Sequence, residues 1–122
     1  MKNKKLIYSF KYAFTGIKSA FKTERNMKIH FSIMLLVIIC GIIFKINITE
    51  WITCVGCFAC VIGSEMFNTA IEKVVDLASP KKNEIAKLSK DISAGAVLVF
   101  AICSAIIGLL IFIPKIIYIL KL

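Results

Sequence analysis

The chain has 122 residues, 59% of them hydrophobic, a mean hydropathy of +0.87 and a formal net charge of +9. A soluble domain of this size has too much surface to hide so many apolar side chains, which excludes a water-soluble globule and makes the bilayer the natural solvent. Charge of this size and sign is also what nucleic-acid binders carry, but its distribution argues against that partner. Eight of the sixteen Lys and Arg precede the first apolar stretch and five lie between the second and third. Only Lys45, Lys115 and Lys121 fall elsewhere. This asymmetry reads as membrane topology, with the N-terminus and second loop cytoplasmic and the C-terminus outside.

In chain order, residues 6–23 read as an amphipathic helix. Leu6, Phe10, Ile17 and Phe21 recur at helical spacing, and Lys11, Thr15, Lys18 and Lys22 lie toward the other face. Such a helix suits the cytoplasmic interface, or equally a surface of the protein itself. No short apolar run with a small-residue cleavage site follows the basic N-terminus, so no cleaved leader is expected. Three apolar stretches follow, at about 29–48, 51–71 and 92–113, each near the ~20 residues that a spanning helix needs. Asn47 and Thr49 mark a tight outer turn, and Trp51 is an interfacial anchor. The second helix is expected to run on to about Leu77. Ser79-Pro80 reads as the start of the third, with Ser as N-cap and Pro at the first helical position, and that helix runs toward Pro114. The expected fold is an all-α membrane protein, a single domain over 1–122.

Cys40, Cys54, Cys57, Cys60 and Cys103 all lie within the apolar stretches. The CxxCxxC run at 54–60 has no second ligand-bearing segment, as structural zinc would need, so these are read as small apolar residues without disulfides.

The second helix carries Glu65, Asn68, Glu72 and Asp76. At ~100° per residue these four fall within roughly 80° of one another on an otherwise apolar helix. A carboxylate stripe is expensive in lipid and must face protein, water or cations. An ordinary solvated helix end accounts for Asp76 but not for Glu65, which lies deeper. Counted from Trp51, Glu65 is ~21 Å and Glu72 ~31 Å along the helix, against a hydrocarbon core of ~30 Å. Glu24, before the first span, and Lys90-Asp91, opening the third, belong to the same cytoplasmic layer. Carboxylates and a lysine at one depth are what Mg²⁺-phosphate chemistry requires: hard oxygen ligands for the metal, positive charge for phosphate, and a carboxylate to take a proton from an alcohol. Neither GxxxxGK[ST] nor GxGxxG is present, so a nucleotide site would be built differently from a P-loop.

The run from Glu65 through Asn68, Ala70, Ile71 and Glu72 to Asp76 resembles the signature E-x-x-N-[ST]-A-I-E-x-x-V-D of the prokaryotic diacylglycerol kinase/undecaprenol kinase family. Lys90-Asp91 with Ala94-Gly95-Ala96-Val97 resembles its second motif, and Glu24 behind an aromatic amphipathic helix a third. The likeness covers essentially the whole chain. It implies a homotrimeric helical bundle in the plasma membrane, with active sites shared between subunits at the cytoplasmic face. The reaction implied is transfer of the γ-phosphoryl group of Mg-ATP to a lipid hydroxyl. By motif, Glu65 resembles the general base, and Glu24 and Glu72 the ligands of Mg²⁺. Asn68, Lys90 and Asp91 resemble residues that hold ATP, as do Lys5 and Tyr12 on the surface helix. Lys81 and Lys82 can also approach the nucleotide.

The stretch Glu24-Arg25-Asn26-Met27-Lys28-Ile29-His30 is similar to the branch of the family that favours undecaprenol. The diacylglycerol-specific branch commonly has an acidic residue where His30 stands and a serine where Ala94 stands. Undecaprenol is the expected acceptor, with diacylglycerol as the alternative. His30 is read as a polar residue at a helix start. Two other classes fit the residues less well. A small transporter would place its polar groups near the midplane and show a repeat, and none is visible. A non-enzymatic membrane partner leaves Glu24 and Lys90-Asp91 unexplained.

Overall fold

The computed structural model describes residues 2–121, one residue short at each end of the domain expected over 1–122. Four helices follow in chain order: α1 (Lys2–Thr23), α2 (Arg25–Ile43), α3 (Ile48–Ala78) and α4 (Glu84–Leu120). The all-helical architecture agrees with the expectation. α2, α3 and α4 are each long and apolar enough to cross a membrane. α3 is the central element: α4 packs antiparallel along it, α2 also packs on it, and α1 touches α2 and α3.

The turn between α2 and α3 sits earlier than the sequence suggests. α2 ends at Ile43 rather than at residue 48, because Lys45 adopts a left-handed backbone with φ 52°. The Ile46 N–H then bonds the Gly41 carbonyl at 3.1 Å, and the Lys45 N–H bonds that of Ile42 at 3.3 Å. This pair of bonds is a Schellman closure, and the Ile46 side chain is buried beneath it. Asn47 caps α3: its side chain accepts from the Glu50 N–H at 2.9 Å, and the Glu50 carboxylate accepts from the Asn47 N–H at 3.0 Å. Such a reciprocal box starts a helix at once, so Thr49 lies inside α3 and not in the turn. Trp51 is half-buried and lies against α2. A Cβ on Gly41 would come within 2.6 Å of its ring, so only glycine permits that approach.

The start of α4 also differs. Ser79 is the C-cap of α3, and its hydroxyl bonds the Lys81 carbonyl at 3.0 Å. The N-cap of α4 is Asn83, whose side chain accepts from Ile85 and Ala86 at 2.8 and 3.2 Å. Asn83 supplies the acceptor that Ser79 was expected to supply, and Pro80 lies in the loop between the two helices. α4 then passes through Pro114 to Leu120 instead of ending there. A helix in lipid has no water to replace its backbone bonds, so one missing N–H is tolerated where unwinding is not. Lys115 beyond that proline pairs with Glu50 at 3.0 Å, tying the far end of α4 to the start of α3.

α1 meets α2 at Glu24, whose extended backbone (φ −107°, ψ 117°) makes an elbow. Ala20 and Met27 are buried on either side of it, and the rings of Phe21 and Phe31 meet edge to face at 5.2 Å. Phe10, Tyr12 and Phe14 on α1 stay exposed. All five cysteines are free thiols, as expected.

Candidate active site

Exposure rises along the acidic stripe of α3. Glu65 is 2% exposed and Asn68 6%, Glu72 is half-buried, and Asp76 is exposed. The helix thus leaves a packed environment within about three turns. That burial follows from which neighbours cover each turn.

Asn68 is the hub. The Ser93 hydroxyl on α4 donates to its Oδ1 at 2.6 Å, and its Nδ2 donates to Glu72 Oε1 at 3.3 Å. One amide therefore links α4 to the Glu72 carboxylate and fixes its orientation. Ser93 was not singled out from the sequence. The signal was available: Ser93 lies three residues after Lys90 and four before Val97, so all three share the face of α4 toward α3. Lys90 on α4 forms an ion pair with Asp76, closing the stripe at its exposed end. Glu65, at its buried end, faces α2, where His30 Nε2 lies 3.5 Å from its Oε2. The Thr69 hydroxyl bonds the Glu65 backbone carbonyl at 3.0 Å and leaves the carboxylate untouched.

Other expected residues stand apart. Asp91 is on the exposed side of α4, paired with Lys87 at 2.7 Å, and makes no hydrogen bond or ion pair with the stripe. Lys5 and Tyr12 are exposed on α1, where Tyr12 stacks on Tyr8 at 6.3 Å. Lys81 and Lys82 line a cleft of about 610 Å³ between the α3–α4 loop and Lys90. Glu24 sits half-buried at the elbow, with no side-chain cap bond.

Among the described residues, no group of three or more His, Cys, Asp or Glu side chains converges on a metal-sized point. Mg²⁺ does not need such a cage. It takes one or two carboxylates and completes its shell with water and phosphate oxygens. Glu24 and Glu72 form no ion pair with any Lys, Arg or His among the described residues, despite the large excess of basic side chains. Each is a hard-oxygen donor of the kind Mg²⁺ takes, with no cation already bound to it among the described side chains.

A second feature adjoins the stripe. An apolar groove of about 450 Å³ runs between α2 and α4 over the surface of α3. Phe44 and Phe112 meet at its outer end, their ring centres 6.1 Å apart, and His30 lines the opposite end.

The family model for prokaryotic diacylglycerol kinase matches residues 11–112, which include the stripe and both flanking segments. The chain belongs to the prokaryotic diacylglycerol kinase family. It is 45% identical over 107 residues to the undecaprenol kinase of Bacillus subtilis, covering 88% of this chain and 87% of that one. It is 37% identical over 106 residues to a diacylglycerol kinase of Synechocystis, covering 84% and 59%. Against the diacylglycerol kinase of Haemophilus influenzae it is 32% identical over 100 residues, covering 80% and 82%. As a member of this family the chain is an ATP-dependent lipid kinase of the membrane. The family resemblance read from the motifs is therefore borne out.

Proposed function

We propose that this kinase phosphorylates a polyprenol, undecaprenol, at the cytoplasmic face of the plasma membrane, with Glu65 as the general base. The observation that carries the mechanism is the burial of Glu65 at 2% exposure beside an apolar groove. A carboxylate kept from water in that setting is costly unless it serves chemistry there. The identity to the Bacillus subtilis undecaprenol kinase supports the choice of acceptor.

In this reading the acceptor hydroxyl lies at the head of the groove. Its oxygen attacks the γ-phosphorus, its proton passes to the Glu65 carboxylate, and the bond from the γ-phosphorus to the bridging oxygen breaks to release ADP. Glu24 and Glu72 would hold Mg²⁺, which would neutralise charge on the phosphates. Asn68 holds the Glu72 carboxylate in place, and Lys90 and Asp91 contact the nucleotide. Lys5 and Tyr12 approach it from α1.

The lysine asymmetry supports three spans with the N-terminus cytoplasmic. Assembly as a homotrimer is supported by the open face of α3. Gly56 and Gly63, two turns apart on it, have nothing within 4 Å of where a Cβ would stand. Small residues on an unfilled face allow close approach of another helix in lipid. A kinase assay in mixed micelles, with undecaprenol and diacylglycerol offered separately and together, tests the substrate. The expected result is preferential phosphorylation of undecaprenol. Preference for diacylglycerol would contradict the choice of acceptor, and no product from either would contradict the whole reading.

A further inference from the structure

Glu65 requires a partner. A buried carboxylate costs several kcal/mol unless it is paired or hydrogen-bonded. The chain carries sixteen Lys and Arg, yet among the described residues none lies within ion-pair distance of Glu65. The one basic side chain that does is His30, from another helix, with Nε2 3.5 Å from Oε2. The Thr69 hydroxyl, one turn along α3, is engaged with the Glu65 backbone carbonyl. His30 also lines the groove, amid side chains that are almost all apolar, so its contact with Glu65 joins the carboxylate to that groove.

We infer that His30 is a positioning residue for phosphoryl transfer, its imidazole holding the Glu65 carboxylate at the polar end of the groove between α2 and α4. This rests on the reading of Glu65 as the base. Contact through one carboxylate oxygen leaves the other for the acceptor hydroxyl. Because His30 stands on α2 and Glu65 on α3, the contact also sets the carboxylate relative to the groove wall that an acceptor's apolar chain would follow. Among the charged groups of these elements are Glu24 at the elbow, Arg25 and Lys28 on α2, Glu72 and Asp76 on α3, and Lys90 on α4. Lys90 is engaged by Asp76, and none of the charged ones pairs with His30 or Glu65.

The test uses the full chain in lipid micelles. Misplacement of a reacting group by about 1 Å costs up to ~10²-fold in rate. His30→Ala is therefore expected to lower kcat by about 10- to 10²-fold while leaving the KM for Mg-ATP unchanged. His30→Gln places an amide nitrogen where Nε2 stood and is expected to restore most of the loss. The chain contains a single histidine, so ¹⁵N-histidine labelling reports on His30 alone. At fixed pH its ring signals are expected to move in Glu65→Gln and to stay put in Glu50→Gln, at the far end of α3. Wild-type kcat in His30→Ala would overturn the inference, as would a KM rise matching the fall in kcat. Ring signals unmoved in an inactive Glu65→Gln would overturn the positioning role alone. Normal turnover in Glu65→Gln with moved ring signals would instead overturn the base reading on which it rests.

Discussion

Asn68 and Ser93, 25 residues apart in sequence, share a buried hydrogen bond of 2.6 Å that locks α4 against the acidic face of α3. The same amide donates to Glu72, so its orientation is set from both sides. Ser93→Ala leaves Oδ1 without its donor and is expected to destabilise the protein by about 1–3 kcal/mol. Asn68→Asp replaces the donor to Glu72 with a second carboxylate and is expected to cost more, in both stability and turnover. Reversible unfolding in mixed micelles measures the first effect, and the kinase assay the second. Equal effects for the two variants would show that the link to Glu72 is idle.

Much of this was legible in the sequence. Hydropathy and length point to three apolar helices, and the spacing of Glu65, Asn68, Glu72 and Asp76 to the stripe. Helix ends were less legible, for a physical reason. Ser79-Pro80 and Asn83 are both plausible starts, and only the backbone decides which side chain reaches the free N–H groups; Asn83 does. The left-handed Lys45 carries no compositional signal, since glycine or asparagine would be expected there. Partners across helices were the least legible. Periodicity places His30, Ser93 and Lys90 on faces but not which face of another helix they meet.

Lys90 is held by Asp76, although its proposed role is toward phosphate. If Asp76 only holds the ammonium until nucleotide arrives, the two variants must differ. A charge-assisted hydrogen bond contributes about 1.5–3 kcal/mol, so Lys90→Gln is expected to raise the KM for Mg-ATP at least ~10-fold. Asp76→Asn is expected to leave it near the wild-type value. Steady-state kinetics over ATP concentration distinguishes them, and equal rises would make the pair a structural unit instead.

Metal dependence is expected if Glu24 and Glu72 hold Mg²⁺ as proposed. Mg²⁺ supplies several kcal/mol of charge stabilisation in such reactions. Glu24→Gln and Glu72→Gln are each expected to cut turnover by at least ~10² at ordinary Mg²⁺ and to shift the activation curve to higher concentrations. Both residues are only half-buried, so the helical fold should survive, as circular dichroism would show. A normal Mg²⁺ activation curve in either variant removes that residue from the site.

Assembly is tested where the single chain leaves space. A Cβ at Gly63 would have no other part of this chain within 4 Å. Gly63→Leu should therefore fold as a protomer but fail to form the trimer, because its bulk falls where a neighbouring helix would approach. Native mass measurement in detergent is expected to find smaller species with little activity. A fully active trimer in Gly63→Leu would place the subunit interface elsewhere.

The base carries the central claim. Glu65 is the most buried carboxylate of the chain and contacts His30, which lines the apolar groove. Glu65→Gln keeps size and most hydrogen bonding but cannot take a proton, and loss of a positioned base typically costs ~10²–10⁴ in rate. The direct measurement is phosphorylation of undecaprenol by Glu65→Gln, made beside Mg-ATP binding on the same preparation. The predicted result is a fall in turnover of at least ~10² with nucleotide binding and assembly intact; turnover at the wild-type rate would contradict the mechanism.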